Sequence, residues 1–416
     1  MSSGRLDPAQ QRALFCWQAD LPAADYVFAD YQLGLCGDGM AAAIGLAMEQ
    51  SAACTRLDGY LDPGALARWS IRVVSLSPLT EASAPAVAAY HLPTEVYPEP
   101  GTCQHWHCRL AIPKQLVGNS YTQLLNVVVG EIPRLGFVRA FRLSGLDGLD
   151  DFGPGPGWGI DGLREHFGVA SGPLLCRSMR PAVGLDRASM ARLNHDVLCA
   201  GFHAVKDDEL MFFARREDYA AHVAAMTAAR DQAQRHSGER KAYIATLLCD
   251  ADELPARWQI CIDAGVDAVL LAPHLQGISQ LAQLAAQRRL PILAHNTCGE
   301  LLSRHPAWSV AEPVWLQLLR RAGADLLVTP GGFGDQFPAT ADDRLAWQAL
   351  HAPHPGIRPS LPILQGGKAP AGLARYRACC AGDDYLLIVA SWIDQHAAGP
   401  AAGARVFRQA LDLHTA

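Results

Sequence analysis

The stretch PLLCRSMRPAVGLDRASMARLNHDVLCAGFHAVKDDE, residues 173–209, contains the pattern that decides the fold. In it a short apolar run is followed by a helical stretch, RASMARLNHDVLCAG, and then by a second apolar run that ends in charged residues. Short apolar strands that alternate with helices of ten or more residues are typical of βαβ units and a parallel sheet. The stretch therefore predicts parallel strands in this part of the chain.

The same alternation continues toward the end of the chain. Eight βα units match the size of a (β/α)₈ barrel, whose reactive groups collect at the carboxyl ends of the strands. We therefore predict an α/β fold with a C-terminal (β/α)₈ TIM barrel over residues 149–416. The eight predicted strands are PLLCRSM (173–179), FHAVKDDE (202–209), KAYIATLL (241–248), DAVLLAP (267–273), LPILAHN (290–296), ADLLVTP (324–330), SLPILQGG (360–367) and DYLLIVAS (384–391).

The residues before the barrel have a mixed pattern. YVFADYQLGL (26–35) and RWSIRVVSLSPL (68–79) predict strands, whereas MAAAIGLAMEQ (40–50) and residues 121–129 predict helices. We expect an α+β, ferredoxin-like N-terminal domain over residues 1–148. The glycine- and proline-rich run that follows, LDDFGPGPGWG, marks the domain boundary.

Composition limits the possible functions. The 416 residues carry a net charge of −6, with acidic and basic residues mixed along the chain, so no electrostatic footprint for nucleic acid or membrane is present. No apolar run approaches the roughly 18 residues of a membrane span, and the N-terminus lacks a signal or transit pattern. We therefore expect a cytoplasmic protein with small-molecule partners. Buried, reduced thiols are expected rather than disulfides, because several cysteines lie in apolar runs: Cys176, Cys199, Cys249 and Cys261.

The segment CQHWHCRLAI, residues 103–112, contains two cysteines and two histidines within six residues, all possible zinc ligands. Its alternation is typical of a strand, in which Cys103 and Cys108 would point to opposite faces. We therefore favour a structural strand over a metal site.

Polar residues and glycines gather at the predicted strand ends. Backbone amides freed by small residues after strands 7 and 8 form a recurrent phosphate cradle in barrels of this kind, so we expect a phosphorylated substrate. The residues concerned are Arg177 and Arg180 after strand 1, Lys206, Asp208 and Glu209 after strand 2, His295 and Asn296 after strand 5, Gln365, Gly366 and Gly367 after strand 7, and Ala390 and Ser391 after strand 8.

The run VKDDEL is the strongest local signal. A charge run is often a solvated surface, but this one follows an apolar barrel strand and so is expected at the barrel mouth. The carboxylates of Asp208 and Glu209 suit Mg²⁺, which prefers oxygen ligands. Lys206 could ligate only as a carbamate formed with carbon dioxide, so the residues alone leave its role open.

These motifs, taken together, resemble the RuBisCO superfamily. The resemblance includes GPGPGWGIDGLREHFGV (153–169), RPAVGL (180–185), KDDE (206–209), the two-glycine turn at Gly366 and Gly367, and VVVGEIPRLGFVRAFRL (127–143), in the family's order over nearly the whole chain. It implies a homodimer with an active site shared between subunits, and Mg²⁺ bound by carbamylated Lys206, Asp208 and Glu209. The family's shared step is enolisation, in which a metal stabilises the developing charge.

Departures from the family pattern point to a RuBisCO-like protein of the non-carboxylating form IV type. Carboxylases have KPK where this chain has Arg180, Pro181 and Ala182, and arginine stays protonated and cannot readily replace a lysine base. Further departures are Asp335 in place of a lysine of the flexible loop, Asn296 in place of a phosphate-binding arginine, Val328 in place of a histidine, and Ala390 and Ser391 in place of a glycine pair. A substrate with one phosphate therefore fits better than a bisphosphate.

Three further positions bear on the site through the same resemblance. Glu49 matches a glutamate that the family uses across the dimer, whereas Glu131 replaces an active-site asparagine and Cys54 a threonine. His295 aligns with an active-site histidine, although a buried, hydrogen-bonded histidine at a strand end is the alternative.

Three hypotheses follow. The first is an enolase or isomerase of a mono-phosphorylated ketose or diketone of the methylthio-sugar phosphate type, with His295, Glu131 or a water as proton carrier. The second is a decarboxylase or hydrolase of a 3-oxo-sugar-acid phosphate, in which Arg177 or Arg180 would hold the carboxylate. The third is a catalytically silent binding or regulatory homologue, against which the retained KDDE argues.

Overall fold

The computed structural model describes residues 7–26, 28–31, 33, 35, 37–51, 60–61, 63–78, 105–329 and 341–415. Contacts between residues divide the chain into two compact units. The first unit contains Met1–Ala82, Leu175–Tyr243 and Val389–Ala416, and the second contains Ser83–Leu174 and Ile244–Ile388. The domain boundary expected near residue 148 stays a prediction.

Eight parallel strands close into a barrel, in the order β10-β2-β3-β4-β5-β6-β8-β9. All eight lie within the stretches predicted from the sequence, and the α/β barrel fold is confirmed. The strands are fully buried apolar runs, as expected where helices cover a parallel sheet. Their bounds are β2 Leu174–Ser178, β3 Ala204–Lys206, β4 Ala242–Thr246, β5 Ala268–Leu271, β6 Ile292–Ala294, β8 Leu326–Val328, β9 Leu361–Leu364 and β10 Leu386–Ile388.

The helices between these strands begin and end where local chemistry dictates. In the first unit, the Asp186 side chain accepts a hydrogen bond from the Ser189 N–H and so caps α6, while Gly238 ends α7 in a left-handed conformation. The helices of the barrel region are α5 Gly159–Phe167, α6 Arg187–Cys199, α7 Arg216–Ser237, α8 Leu254–Ala264, α9 Pro273–Gln276, α10 Ile278–Ala285, α11 Gly299–Ser303, α12 Glu312–Ala322, α13 Ala341–His351, α14 Leu373–Cys380, α15 Ser391–Asp394 and α16 Pro400–Thr415.

A second, two-stranded sheet lies within the second unit. Its strands, β1 Phe141–Leu143 and β7 Trp308–Val310, are parallel, and Phe141 is in register with Trp308. The sequence analysis did not identify β7, because WSV is too short to show a period.

The described N-terminal residues are mainly helical. They form α1 Pro8–Phe15, α2 Gly39–Glu49 and α3 Pro63–Trp69, and Phe15, Ile44, Ala47 and Leu66 form a small apolar core. The predicted helix at 40–50 is therefore confirmed. The described parts of 26–35 and 68–78 form no strand beyond an isolated bridge between Cys16 and Val73, since a strand needs a paired neighbour and not only an alternating pattern.

Residues 121–130 form the predicted helix, as α4 Tyr121–Leu125 followed by a π-helical turn at Asn126–Gly130. The strand predicted for 103–112 was wrong for its described part, because residues 105–112 are irregular and all but Ile112 are exposed. Three-residue 3₁₀ helices lie at Ala23–Asp25, Lys114–Leu116, Ile132–Arg134 and Pro370–Gly372. Among the described helices, none combines the length and the apolar character required to span a membrane.

Candidate active site

Lys206, Asp208 and Glu209 lie at the carboxyl end of β3, as predicted. Lys206 is the last residue of the strand and is 1% exposed, and its ammonium donates to the backbone carbonyl of Asp207 at 3.0 Å and to Glu209 Oε2 at 3.0 Å. Asp208 is fully buried, and its Oδ2 accepts a hydrogen bond from the Ser178 hydroxyl of the adjacent β2 at 3.2 Å. The strand end thus brings the three predicted ligands into one cluster.

Arg180, in the turn after β2, joins three carboxylates. Its Nε–H donates to Asp208 Oδ2 at 2.8 Å, while its two Nη groups donate to Glu49 Oε1 at 2.7 Å and to Glu209 Oε1 at 3.3 Å. The Arg180 side chain is 19% exposed. Arg180 therefore occupies the space toward which the carboxylates of Asp208 and Glu209 converge.

The electrostatics of this cluster keep Arg180 charged. Burial alone would lower the pKa of its guanidinium, but the carboxylates of Asp208, Glu209 and Glu49 outweigh that effect and raise the pKa above its ordinary value. Arg180 can therefore hold negative charge but cannot act as a proton-accepting base.

A buried network fixes the backbone beneath the cluster. Asp207 is fully buried and accepts hydrogen bonds from the Tyr243 hydroxyl at 2.7 Å and from His222 Nε2 at 2.9 Å. The Asp207 carboxylate is thus held by side chains from β4 and α7. Sequence analysis missed Tyr243 and His222, which lie 36 and 15 residues from Asp207 along the chain.

Arg177 has a buried partner. Both side chains of the Arg177 and Asp394 pair are 0% exposed, and the guanidinium donates from Nε and Nη2 to the two carboxylate oxygens at 3.0 Å each. Burial raises the pKa of Asp394 to about 6, although the Arg177 charge opposes that shift. The Arg177 guanidinium, which was predicted to bind substrate, therefore already donates two hydrogen bonds to Asp394.

Residues after β6 and β9 form a second group of predicted site residues, in the second unit. His295 is 4% exposed, and its Nδ1 contacts the Thr297 hydroxyl at 2.7 Å and accepts from the Thr297 N–H at 3.2 Å. Asn296 Oδ1 accepts from Gln365 Nε2 at 3.3 Å. A backbone N–H can only donate, so the neutral His295 ring carries its proton on Nε2.

The glycine turn after β9 has the conformation that its composition predicts. Gly366 and Gly367 have φ values of 77° and 63°, a left-handed backbone that glycine adopts without strain. No heavy atom of the described residues lies within 4 Å of a Cβ built on either glycine, so the turn leaves open space beside its amides. The adjacent Lys368 donates to the Gly366 carbonyl at 3.2 Å.

The remaining predicted residues occupy different surroundings. Ala390 caps the four-residue helix α15 and Ser391 begins it. Glu131 is exposed and forms an ion pair with Arg134 at 2.6 Å. Val328 is buried at the end of β8, whereas Cys54, Cys103 and Asp335 lie outside the described residues.

Comparisons with known proteins identify the family of the chain. The family model for the ribulose bisphosphate carboxylase large chain, catalytic domain, matches residues 159–416. The chain is 26% identical to ribulose bisphosphate carboxylase-like protein 2 of Rhodopseudomonas palustris over 412 aligned residues. The alignment covers 98% of this chain and 94% of that protein. It is 29% identical over 307 residues to the 2,3-diketo-5-methylthiopentyl-1-phosphate enolase of Exiguobacterium sibiricum, covering 72% of this chain and 76% of the enolase.

A solved structure shows the same likeness. The crystal structure of a rubisco-like protein from Alicyclobacillus acidocaldarius matches with a TM-score of 0.67 and 27% identity, over 73% of this chain and 76% of that one. The closed barrel of eight parallel strands defines a (β/α)₈-barrel protein, with a charged cluster after β3. The chain belongs to the ribulose bisphosphate carboxylase large-chain family, and a relative that spans nearly its whole length is named carboxylase-like.

Proposed function

We propose that this protein is a RuBisCO-like, Mg²⁺-dependent enolase or isomerase of a mono-phosphorylated ketose or diketone of the methylthio-sugar phosphate type, and not a carboxylase. The observation that carries the proposal is the convergence of Asp208 and Glu209 beside Lys206 at the end of β3. The name of the Exiguobacterium sibiricum relative, an enolase of a methylthio-diketone phosphate, supports this substrate class.

The donor set fits Mg²⁺, which prefers carboxylate oxygen ligands. With Lys206 unmodified, and with the solvent-exposed Glu49 left out of the count, two carboxylates, Asp208 and Glu209, balance two cations, Lys206 and Arg180. Conversion of Lys206 to a carbamate removes one positive charge and adds one negative charge, so the cluster then carries the two negative charges that Mg²⁺ neutralises. When bound by carbamylated Lys206, Asp208 and Glu209, the cation would stabilise the charge that develops as a proton leaves carbon next to a carbonyl.

The chain's own residues supply positioning and proton transfer. His295 carries its proton on Nε2 when neutral, because Nδ1 accepts from the Thr297 N–H, so it suits protonation of a substrate oxygen better than abstraction of a carbon-bound proton. The backbone amides of Gly366 and Gly367 are proposed to bind a phosphate, and Ala390 and Ser391 are proposed as phosphate-binding residues in their own right. Asn296, Gln365 and Glu49 are proposed to line the substrate, and Arg177 would join them only by exchanging Asp394 for a substrate group. Glu131 or a water is proposed as the proton-accepting base.

Loss of carboxylation rests on the residue at position 180. Arg180 stands in place of the lysine that serves as the proton-transfer base, and the surrounding carboxylates keep it charged. The decarboxylase or hydrolase alternative would need Arg177 or Arg180 to hold a substrate carboxylate. Both guanidiniums already contact protein carboxylates, so this alternative requires an exchange of partners.

The proposal also includes a homodimer that shares its active site. Sedimentation equilibrium would test the dimer directly. Mixing variants that are each inactive through a different residue would test sharing, because mixed dimers of Lys206→Ala and Glu131→Gln regain activity only if one site draws on both subunits.

The central test combines metal binding with turnover. Magnesium is titrated calorimetrically with and without bicarbonate, and mass spectrometry under non-acidic conditions is used to find a carbon dioxide adduct on Lys206. Turnover is then followed in deuterium oxide with 2,3-diketo-5-methylthiopentyl 1-phosphate. We expect bicarbonate-dependent Mg²⁺ binding and deuterium incorporation without release of carbon dioxide.

A matched pair of lysine variants controls this experiment. Lys206→Ala should abolish adduct formation and turnover, whereas Lys241→Ala, at another buried lysine that pairs with a glutamate, should keep both. Release of carbon dioxide would favour the decarboxylase, and the absence of both metal binding and adduct would leave the silent homologue.

A further inference from the structure

We infer that His195 and Cys199 of α6, together with His236 of α7, form a second metal site, specific for a borderline-soft divalent cation such as Zn²⁺. This site is independent of the proposed active site. Cys199 was expected to be buried, and that expectation was wrong, because the residue is exposed on α6. All three side chains belong to the first unit.

The spacing along the helices places the three groups together. His195 and Cys199 are four residues apart on α6 and therefore lie on one face of that helix. His236 is in the last turn of the neighbouring α7. The possible ligand atoms of the three residues lie within 4.8 Å of one another.

The distances fit a tetrahedral zinc site. With Zn–N bonds near 2.0 Å and Zn–S bonds near 2.3 Å, tetrahedral angles place two nitrogen ligands about 3.3 Å apart and a nitrogen and a sulfur about 3.5 Å apart. His195 Nε2 lies 2.9 Å from His236 Nδ1 and 3.5 Å from Cys199 Sγ. The ligand atoms of Cys199 and His236 lie within 4.8 Å of each other, so binding of the ion would separate the two imidazoles slightly and bring Cys199 and His236 to the tetrahedral distance.

A carboxylate orients one of the ligands. His195 Nδ1 lies 3.0 Å from Asp196 Oδ1, and the Tyr60 hydroxyl donates to Asp196 Oδ2 at 2.6 Å. A proton on Nδ1 that faces a carboxylate leaves the lone pair of Nε2 for a metal, which is the arrangement of carboxylate, histidine and zinc found in many metal sites. Burial and the hydrogen bond to Asp196 raise the pKa of Tyr60 to about 12, so its hydroxyl keeps its proton.

The ligand types decide which cation binds. Two imidazoles and a thiolate favour Zn²⁺ or Co²⁺, whereas Mg²⁺ favours carboxylate oxygens. The exposure of Cys199 and His236 gives water access to the fourth coordination position. The bound ion would tie α6 to α7, and binding to the folded state alone would stabilise the fold.

Cobalt(II) titration followed by absorption spectroscopy tests the site. A thiolate ligand to cobalt gives a near-ultraviolet charge-transfer band that oxygen ligands such as Asp208 and Glu209 cannot produce. We expect this band to saturate at one equivalent, to disappear in Cys199→Ser and to need at least tenfold more cobalt in His236→Ala. Cys108→Ser, at another exposed cysteine, should behave as the wild type.

A second measurement covers the effect on folding. Zn²⁺ should raise the melting temperature of the wild type and of Cys108→Ser, and should leave that of Cys199→Ser unchanged. The inference is overturned if the wild type shows no charge-transfer band, or if the band persists in Cys199→Ser or keeps its midpoint in His236→Ala.

Discussion

The Arg180 Nε–H donates to Asp208 Oδ2 over 2.8 Å, so a fixed positive charge of the chain rests on a carboxylate proposed to bind a metal ion. The same guanidinium reaches Glu209 and Glu49. A Mg²⁺ ion bound as proposed would therefore compete with Arg180 for the same oxygen atoms.

Arg180→Gln should bind Mg²⁺ more tightly than the wild type. The variant removes a like charge that lies within hydrogen-bonding distance of both carboxylates, and we expect the Kd for Mg²⁺ to fall at least tenfold, measured by calorimetry in bicarbonate. Arg134→Gln, which removes an arginine from an exposed pair with Glu131, is the control and should leave the Kd unchanged. Equal or weaker binding by Arg180→Gln would show that Arg180 does not oppose the cation.

Asp394→Ala should unfold far more easily than the wild type. It leaves the fully buried Arg177 without its carboxylate partner, which costs on the order of 3–5 kcal/mol. Urea denaturation should show this loss, and the double variant Arg177→Leu with Asp394→Leu should recover part of it. Asp412→Ala, which breaks a largely exposed pair with Arg408, should cost below about 1 kcal/mol; equal losses in the two single variants would contradict the prediction.

His274→Phe should make the protein more resistant to acid. Burial lowers the pKa of His274 to about 4, and its two ring nitrogens have no hydrogen-bond partner among the described residues. As the pH falls from 6.5 toward 4, the unfolded chain takes up a proton at this histidine before the folded chain does, so the free energy of unfolding decreases by up to about 3 kcal/mol.

Free energies of unfolding measured between pH 7 and pH 4 test whether stability decreases in this pH range because of His274. His274→Phe should show a shallower decrease than the wild type, while His107→Phe, at an exposed histidine, should follow the wild-type slope. A wild-type slope in His274→Phe would mean that the ring becomes charged within the folded protein.

Tyr243→Phe should weaken the support beneath the KDDE motif. The hydroxyl donates to the buried carboxylate of Asp207 at 2.7 Å, and loss of a hydrogen bond to a charged group costs about 1.5–3 kcal/mol. Tyr376→Phe is the matched control, since its hydroxyl is also buried but accepts from the neutral Ala369 N–H at 3.2 Å. Urea denaturation should show that Tyr243→Phe is less stable than Tyr376→Phe. The opposite order would show that the hydrogen bond from Tyr243 to Asp207 does not make the larger contribution to stability.

The barrel could be predicted because each strand is a local apolar run bounded by turn residues. The position of Lys206, Asp208 and Glu209 at a strand end could be predicted for the same reason, since they directly follow such a run. The partner of Arg177 could not be predicted, because Asp394 lies 217 residues farther along the chain and periodicity carries no information about which strand ends meet.

Two local patterns were misleading. Cys199 follows the apolar pair Val197 and Leu198 and so was assigned to the core, yet helical geometry turns it onto the exposed face that it shares with His195. Residues 105–112 alternate as a strand would, but the described segment has no pairing partner and stays irregular. In both cases the local sequence pattern predicted one structure, but the packing and pairing of the segment with other parts of the chain determined whether it was buried or formed a strand.

The neutral balance of Lys206 and Arg180 against Asp208 and Glu209 has a consequence for the life of the polypeptide in the cell. Because Lys206 and Arg180 already neutralise the two carboxylates that are proposed to bind Mg²⁺, the chain should be able to fold during magnesium starvation. Depletion of the ion should therefore silence the protein without exposing it to proteases, and activity should return on resupply without new synthesis.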